Sequence, residues 1–163
     1  MNIIPISEEY IESFRNAIDI VARERKYLAM LEARPLESVR DWVSENIEND
    51  IPQFLALEDN QVIGWCDIMP KETTGFEHVG VLGMGVLPDF RKKGIGKALL
   101  EITLAKAKEN GIEKIELEVF ESNVPAIHLY DTFGFQREGI KKCARKLDER
   151  YDNIVLMAKF LDE

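Results

Sequence analysis

Cysteine and histidine are scarce in this chain: Cys66 and Cys143, His78 and His128 are the whole supply in 163 residues. No CxxC pair and no Cys/His ligand spacing is present, so the sequence offers neither a metal site nor a disulfide framework, and both cysteines are expected to be reduced core residues. Long apolar runs are missing too. The longest, "VGVLGMGVL", is far short of the roughly 20 residues that a membrane-spanning helix needs. The N-terminus lacks the basic, apolar and small-residue succession of a leader, so a soluble, cytoplasmic protein without a membrane role is expected. Internal repeats, low-complexity tracts and Gly/Ser/Pro-rich linkers are likewise absent, and one domain over 1–163 is expected. Basic charge is in deficit. The 21 Lys and Arg against 30 Asp and Glu leave a net charge of -9, which argues against a general nucleic-acid binder and suits a cationic or amine substrate better.

What is present is periodic. After a short β-prone piece, "NIIPI", Ser7 precedes "EEYIESFRNAIDIVARE", where Ile11, Phe14, Ile18 and Val21 recur at helical spacing with Ser7 as the cap. A second helix is predicted in "LESVRDWVSENIEND", with Val39, Trp42, Val43 and Ile47 on one face and Pro52 closing it. The period then shortens. "QFLALE", the turn pair "DN" and "QVIGWCDIM" read as a tight hairpin, and "EHVGVLGMGVL" as a central strand. Ile95, Leu99 and Ile102 trace a third helix that Gly111 can end. "IEKIELEVF" is a strand, and "SNVPAIHLYDTFGF" is a short helix with Pro125 in its first turn and Gly134 at its end. Two β-prone runs, near 135 to 145 and 152 to 160, finish the chain. The predicted order β-α-α-β-β-β-α-β-α-β-β belongs to the α/β class, a mixed sheet with helices on its faces.

Between the central strand and the third helix lies "VLPDFRKKGIGKALL", residues 86 to 100. A glycine-bearing turn that runs into a helix leaves main-chain N–H groups unpaired where the helix dipole favours an anion, and phosphate is the natural occupant. Gly94 and Gly96 let the main chain curl close to such a ligand, while Arg91, Lys92 and Lys93 can add charge-assisted hydrogen bonds. A Walker loop would need glycine at Arg91 and Ser or Thr at Ala98. A dinucleotide fingerprint would need glycine or alanine at Leu99. Both readings fail.

The stretch "RKKGIG" resembles the R/Q-x-x-G-x-G/A signature of the GCN5-related N-acetyltransferases, with Arg91, Gly94 and Gly96 at its fixed positions. A second motif, "LEVFESNVPAIHLYDTFGF" at 117 to 135, is similar to the strand, asparagine, helix and tyrosine segment of the same superfamily. Its form is that of bacterial enzymes acetylating ribosomal-protein N-termini and of phosphinothricin-type small-molecule relatives. The resemblance covers nearly the whole chain and implies the acyl-CoA N-acyltransferase fold.

It also implies roles. The acetyl-CoA diphosphate would sit on the main-chain N–H groups of Lys92, Lys93, Gly94, Ile95, Gly96, Lys97 and Ala98. The pantetheine arm would lie between the ends of "LGMGVL" and "LEVFE", with Met84 and Val86 as backbone partners and the Val86 N–H polarising the thioester carbonyl. Tyr130 would protonate the departing thiolate. Asn123 and Ala126 would contact the cofactor arm, although Asn123 has an independent reason to be there as a helix cap. The glutamate that histone-type members carry before the glycine turn falls at Gly80 here, so that base does not transfer. Glu118, twelve residues before Tyr130, matches the base of ribosomal-protein-type members, acting through water, with Glu121, Glu24, Glu32 and His78 as substitutes. Specificity is expected from "RERKYLAMLEARP" and the hairpin around "DERYDN". The function implied is transfer of acetyl from acetyl-CoA to a primary amine by direct attack, without a metal, with a small-molecule acceptor favoured over a protein N-terminus. A non-catalytic CoA-binding module is the rival class, and a homodimer is an open expectation.

Overall fold

The change of hydrophobic period along the chain becomes a change of element in the computed structural model, which describes residues 1–161. The order is β1 (Asn2–Pro5), α1 (Ile11–Arg23), α2 (Leu36–Glu48), β2 (Gln53–Glu58), β3 (Gln61–Pro70), β4 (Val79–Val86), α3 (Ile95–Glu109), β5 (Lys114–Phe120), α4 (Val124–Thr132), β6 (Gln136–Leu147) and β7 (Arg150–Phe160), the predicted succession. Single 3-10 turns at Glu8–Tyr10 and Pro88–Phe90 lead into α1 and toward α3. The strands form one seven-stranded sheet in the order β1-β2-β3-β4-β5-β7-β6. No helix among the described residues is long and apolar enough to cross a membrane.

Local chemistry accounts for the boundaries. The Ser7 hydroxyl accepts from the Glu9 N–H at 3.4 Å and caps the 3-10 turn before α1. Asp59 and Asn60 take φ of 50° and 61°, the paired left-handed conformation that lets a two-residue loop follow the strand twist of β2 and β3.

The sheet buries a core on each face. Ile11, Phe14, Ile18 and Val21 of α1 pack with Val39 and Val43 of α2 over Leu55 and Trp65, and Phe14 lies 6.2 Å from the Trp42 ring and 6.0 Å from the Trp65 ring. The other face gathers Leu99, Leu100 and Leu104 of α3, Ile127 and Tyr130 of α4, and Ile115, Leu117 and Met157 of the sheet.

Three expectations are corrected. Ile47 is exposed, and the α2 stripe turns instead through Asn46, whose buried amide donates to Gln53 Oε1 at 3.0 Å. Ile102 is exposed because the buried stripe of α3 runs through Leu99, Leu100, Thr103, Leu104 and Ala107. Cys66 is buried as expected, but Cys143 is exposed: it sits where β6 slips its register against β7, with φ of 48° and its N–H donating to Asn153 Oδ1.

The feature that positions everything below is a split. β4 pairs with β3 through seven residues up to Val86, and β5 pairs with β7 through seven residues up to Phe120. Between them β4 and β5 share only three parallel pairs, Val79 with Lys114, Gly80 with Ile115 and Val81 with Glu116, and then diverge.

On the β3 side of this split a Cβ at Gly85 would overlap the Trp65 ring. Gly85→Ala is expected to cost about 1–3 kcal/mol by overpacking, read as a lowered urea midpoint; an unchanged midpoint would show that the Trp65 contact yields freely.

Candidate active site

The direction of the β4 main chain follows from its ladder. Lys71 N–H donates to Val79 C=O at 2.9 Å and Leu87 N–H to Ile63 C=O at 2.8 Å. In an antiparallel pair the bonded residues alternate, so the odd-numbered residues of β4 are turned to β3. The N–H and C=O groups of Leu82, Met84 and Val86 therefore face the gap toward β5. The side chains of Met84 and Val86 pack on the α3/α4 core, whereas on the opposite face Gly85 lies under the Trp65 ring and Gly83 against the Asp67 carboxylate.

At the end of β4 the chain enters the basic turn. Lys92 and Gly94 have φ of 63° and 82°, a curvature that points successive N–H groups inward as an anion-binding concavity. The first helical hydrogen bond of α3 runs from Ala98 N–H to Gly94 C=O at 3.1 Å. Ala98 is thus removed from the expected set of free donors. The N–H groups of Lys92, Lys93, Gly94, Ile95, Gly96 and Lys97 have no acceptor among the described residues. Gly96 joins this turn to the gap: a Cβ there would lie 3.4 Å from Met84 Cε, 3.6 Å from Leu129 Cδ2 and 3.9 Å from Val86 Cγ2. A groove of about 580 Å³ continues outward between α3 and α4, lined by Lys97, Glu101, His128, Leu129 and Phe133.

Arg91 does not add its side chain to the turn. Its guanidinium donates to both Glu24 oxygens at 2.8 and 2.5 Å and to Val86 C=O at 2.9 Å, and it stacks on Tyr27 at 4.7 Å. The hydrogen-bonded Glu24 carboxylate holds it firmly protonated. Arg91 is a brace between the mouth of the gap and the end of α1. Lys92, Lys93 and Lys97 are exposed cations at the turn.

On α4, Tyr130 is 7% exposed and its ring lies 5.6 Å from that of Phe135. Burial pushes its hydroxyl pKa well above the ordinary value, so it stands as a neutral phenol. The Asn123 Oδ1 accepts from the Ala126 N–H at 3.3 Å, capping α4.

Each expected glutamate base is engaged, whereas the His78 side chain, the remaining expected substitute, has no hydrogen-bond partner among the described residues. Glu118 is exposed and 2.7 Å from Lys141 Nζ. Glu116, on the same face of β5, is bonded by Lys71 at 2.9 Å and Lys114 at 3.3 Å, which lowers its pKa. Glu24 holds Arg91, Glu32 pairs with Arg23 at 3.3 Å, and Glu121 accepts from Asn153 at 3.4 Å. The residue that sequence reasoning missed is Asp67. It lies on β3 between Gln53 of β2 and Gly83 of β4, is 7% exposed, and makes no hydrogen bond or ion pair among the described residues. Desolvation pushes its carboxyl up to about 7. The available signal was an acid inside the apolar run "QVIGWCDIM".

A split sheet with a row of free N–H donors at the start of the helix that follows is the arrangement of a known class. The chain belongs to the acetyltransferase (GNAT) family, whose model matches residues 10–135. It is similar to an N-alpha-acetyltransferase of Saccharolobus solfataricus, 36% identical over 100 residues that cover 55% of this chain and 59% of that one. It is also similar to the [ribosomal protein bS18]-alanine N-acetyltransferase of Haemophilus influenzae, 35% identical over 108 residues covering 64% and 69%. In fold it matches a phosphinothricin acetyltransferase of Sinorhizobium meliloti, solved in complex with acetyl-CoA, with a TM-score of 0.91 at 18% identity over 98% of this chain and 87% of that one. The chain spans about half to three fifths of the length of several curated relatives that it matches.

Asp67 makes the fold sensitive to pH with a definite sign. Its folded-state pKa near 7 stands above the ordinary 3.8, so the folded chain keeps a proton that the unfolded chain has lost. Its contribution to stability is therefore full below about 4 and lost as pH rises through about 7. Asp67→Asn is expected to raise the urea midpoint relative to wild type at pH 8 more than at pH 5; an equal difference at both would place the carboxyl pKa in the ordinary range.

Proposed function

We propose that this chain is an acetyl-CoA-dependent N-acetyltransferase acting on a primary amine by direct attack in a ternary complex, with a small molecule as acceptor. The observation that carries the reading is the run of unpaired N–H groups from Lys92 to Lys97, joined through Gly96 to the open edge of β4. The residues fit the donor. The N–H row, at the positive end of α3 and flanked by Lys92 and Lys93, suits a diphosphate. The outward N–H and C=O of Met84 and the N–H of Val86 suit an arm bearing amides, which can add to β4 as a strand does, while the Val86 C=O is held by Arg91. Bound acetyl-CoA supplies an acetyl thioester whose thiol, of pKa about 8.5, is a tolerable leaving group.

The chain's own groups then have distinct tasks. Val86 N–H, at the end of the gap, polarises the carbonyl. Tyr130, neutral by burial, donates its hydroxyl proton to the leaving thiolate. Asn123 holds the first turn of α4 and with it the backbone of Ala126 beside the arm. Glu118, the base that the sequence resemblance implies, is held by Lys141 and has no task here. Cys66 is no nucleophile, because burial pushes its thiol far above the usual range.

The acceptor side supports a small amine. Arg25 donates to both Asp148 oxygens at 3.0 and 2.8 Å, and Arg145 donates to Lys26 C=O at 3.3 Å. The loop after α1 is thereby fastened to the β6–β7 turn, and a fixed loop at the end of α1 suits a small acceptor. A protein N-terminus is the second reading, supported by the names of the relatives above.

The test is release of CoA thiol from acetyl-CoA with a panel of amino acids, polyamines, aminated antibiotics and an alanine-first peptide. Release with a small amine is expected, release with the peptide alone would favour the second reading, and silence without measurable acetyl-CoA binding would overturn the proposal. Tyr130→Phe is expected to lower kcat about 10²-fold while calorimetry finds acetyl-CoA affinity unchanged; full turnover in that variant would remove the tyrosine from the proton path.

A further inference from the structure

We propose that Asp67 is the base that takes the acceptor's proton, through water, beside the exposed backbone of Gly83. The inference rests on the acetyltransferase reading above and adds the residue that neither motif supplies.

The argument begins with position. Asp67 is paired in register with Gly83, and its Oδ1 lies 3.4 Å from where a Cβ of Gly83 would be. With glycine at 83, an exposed position, no β4 side chain covers the carboxylate there; the space at Gly85 is taken by the Trp65 ring. Strand alternation puts Asp67 on the same face as Trp65, under α1 and α2, while Tyr130 belongs to the core beneath α3 and α4. Proton removal and proton delivery therefore fall on opposite faces of the sheet, with the thioester between them. Gly83 precedes Val86 by three residues, roughly 10 Å along a strand, so the transfer runs through water.

The second argument is availability. Glu24, Glu32, Glu116 and Glu118 each hold a cation at 3.3 Å or less, and a carboxylate so held is a weaker proton acceptor. Asp67 holds none. Its in-register neighbours are neutral: Gln53 from β2, with Asn46 of α2 bonded behind it, and Gly83 from β4. Its neighbour Cys66 points to the other face and is kept neutral by burial. Desolvation is the cause of its raised pKa, with no charged partner. The Gln53 Nε2 is buried and lacks an acceptor among the described residues, which makes it the donor that can turn to Asp67 when the carboxylate forms.

The protons balance. The acceptor enters as an ammonium and loses one proton to Asp67, which returns it to solvent. The nitrogen–carbon bond forms, the carbon–sulfur bond breaks and the thiolate takes the Tyr130 proton; the second nitrogen proton leaves to water and Tyr130 regains one from water, so one proton in all is released.

The test compares wild type, Asp67→Asn, Gly83→Ala and Glu118→Gln, using acetyl-CoA and the best amine of the panel. In wild type kcat/KM is expected to fall below an apparent pKa near 7 that matches the Asp67 carboxyl titrated by carbon-13 NMR in the free protein. Asp67→Asn should lose that limb and about 10²-fold in rate at neutral pH with acetyl-CoA affinity kept. Gly83→Ala should slow transfer by crowding the carboxylate, and Glu118→Gln should retain the limb. A carboxyl midpoint near 4, or an active wild type whose profile Asp67→Asn reproduces, overturns the role of Asp67 alone. A wild type silent with every amine fails the acetyltransferase reading instead, and the base role falls with it.

Discussion

The structure depends on one unfinished pairing. β4 and β5 meet for three residues and then part, each kept straight by seven pairs with its own outer neighbour. Strands twist relative to their neighbours, and beyond Val81 and Glu116 β4 and β5 each follow their own outer partner. Main-chain N–H and C=O groups inside a fold demand partners. The Met84 N–H and C=O and the Val86 N–H thus lie beyond the last β4–β5 pair with no strand partner, a hydrogen-bonding demand in the middle of the sheet that an extended ligand bearing amides would meet.

The surrounding residues keep the opening in shape. Arg91 ties the mouth of the gap to α1 through a half-buried, bidentate pair with Glu24, a geometry that gives direction as well as energy. Gly96 lets the start of α3 come down onto Met84 and Val86, so the N–H row and the open edge form one continuous surface. On the other face Gly85 makes room for the Trp65 ring and Gly83 for the Asp67 carboxylate. A buried acid without a cation lowers stability once ionised, and its retention in an otherwise apolar strand is what gives it weight as a chemical group.

Much of this was legible in the sequence because it is written in local patterns. The helical stripes, the Asp59–Asn60 turn, the glycine turn before α3 and the Asn123 cap each depend on residues a few positions apart. What escaped depends on distant pairing. Arg91 reads as a phosphate ligand until α1, 67 residues away, places Glu24 against it. Glu118 reads as a free carboxylate until β6 brings Lys141 to it. Ile47 and Ile102 sit one position off the stripes that tertiary packing selects. Cys143 is turned outward by a register slip that no periodicity announces. Asp67 is an acid in a hydrophobic run, and its meaning emerges only when Gly83 is found beside it.

The central claim is that the split between β4 and β5 and the row of donors at α3 form one binding surface. The most direct measurement is nitrogen-15 amide spectroscopy during titration with CoA. The amides of Lys92 to Lys97 and those of Met84 and Val86 are predicted to shift together and saturate at one ligand concentration, while amides of β1 and β2 stay in place. Shifts confined to the turn, with Met84 and Val86 unmoved, would show a phosphate site detached from the gap and would contradict the account.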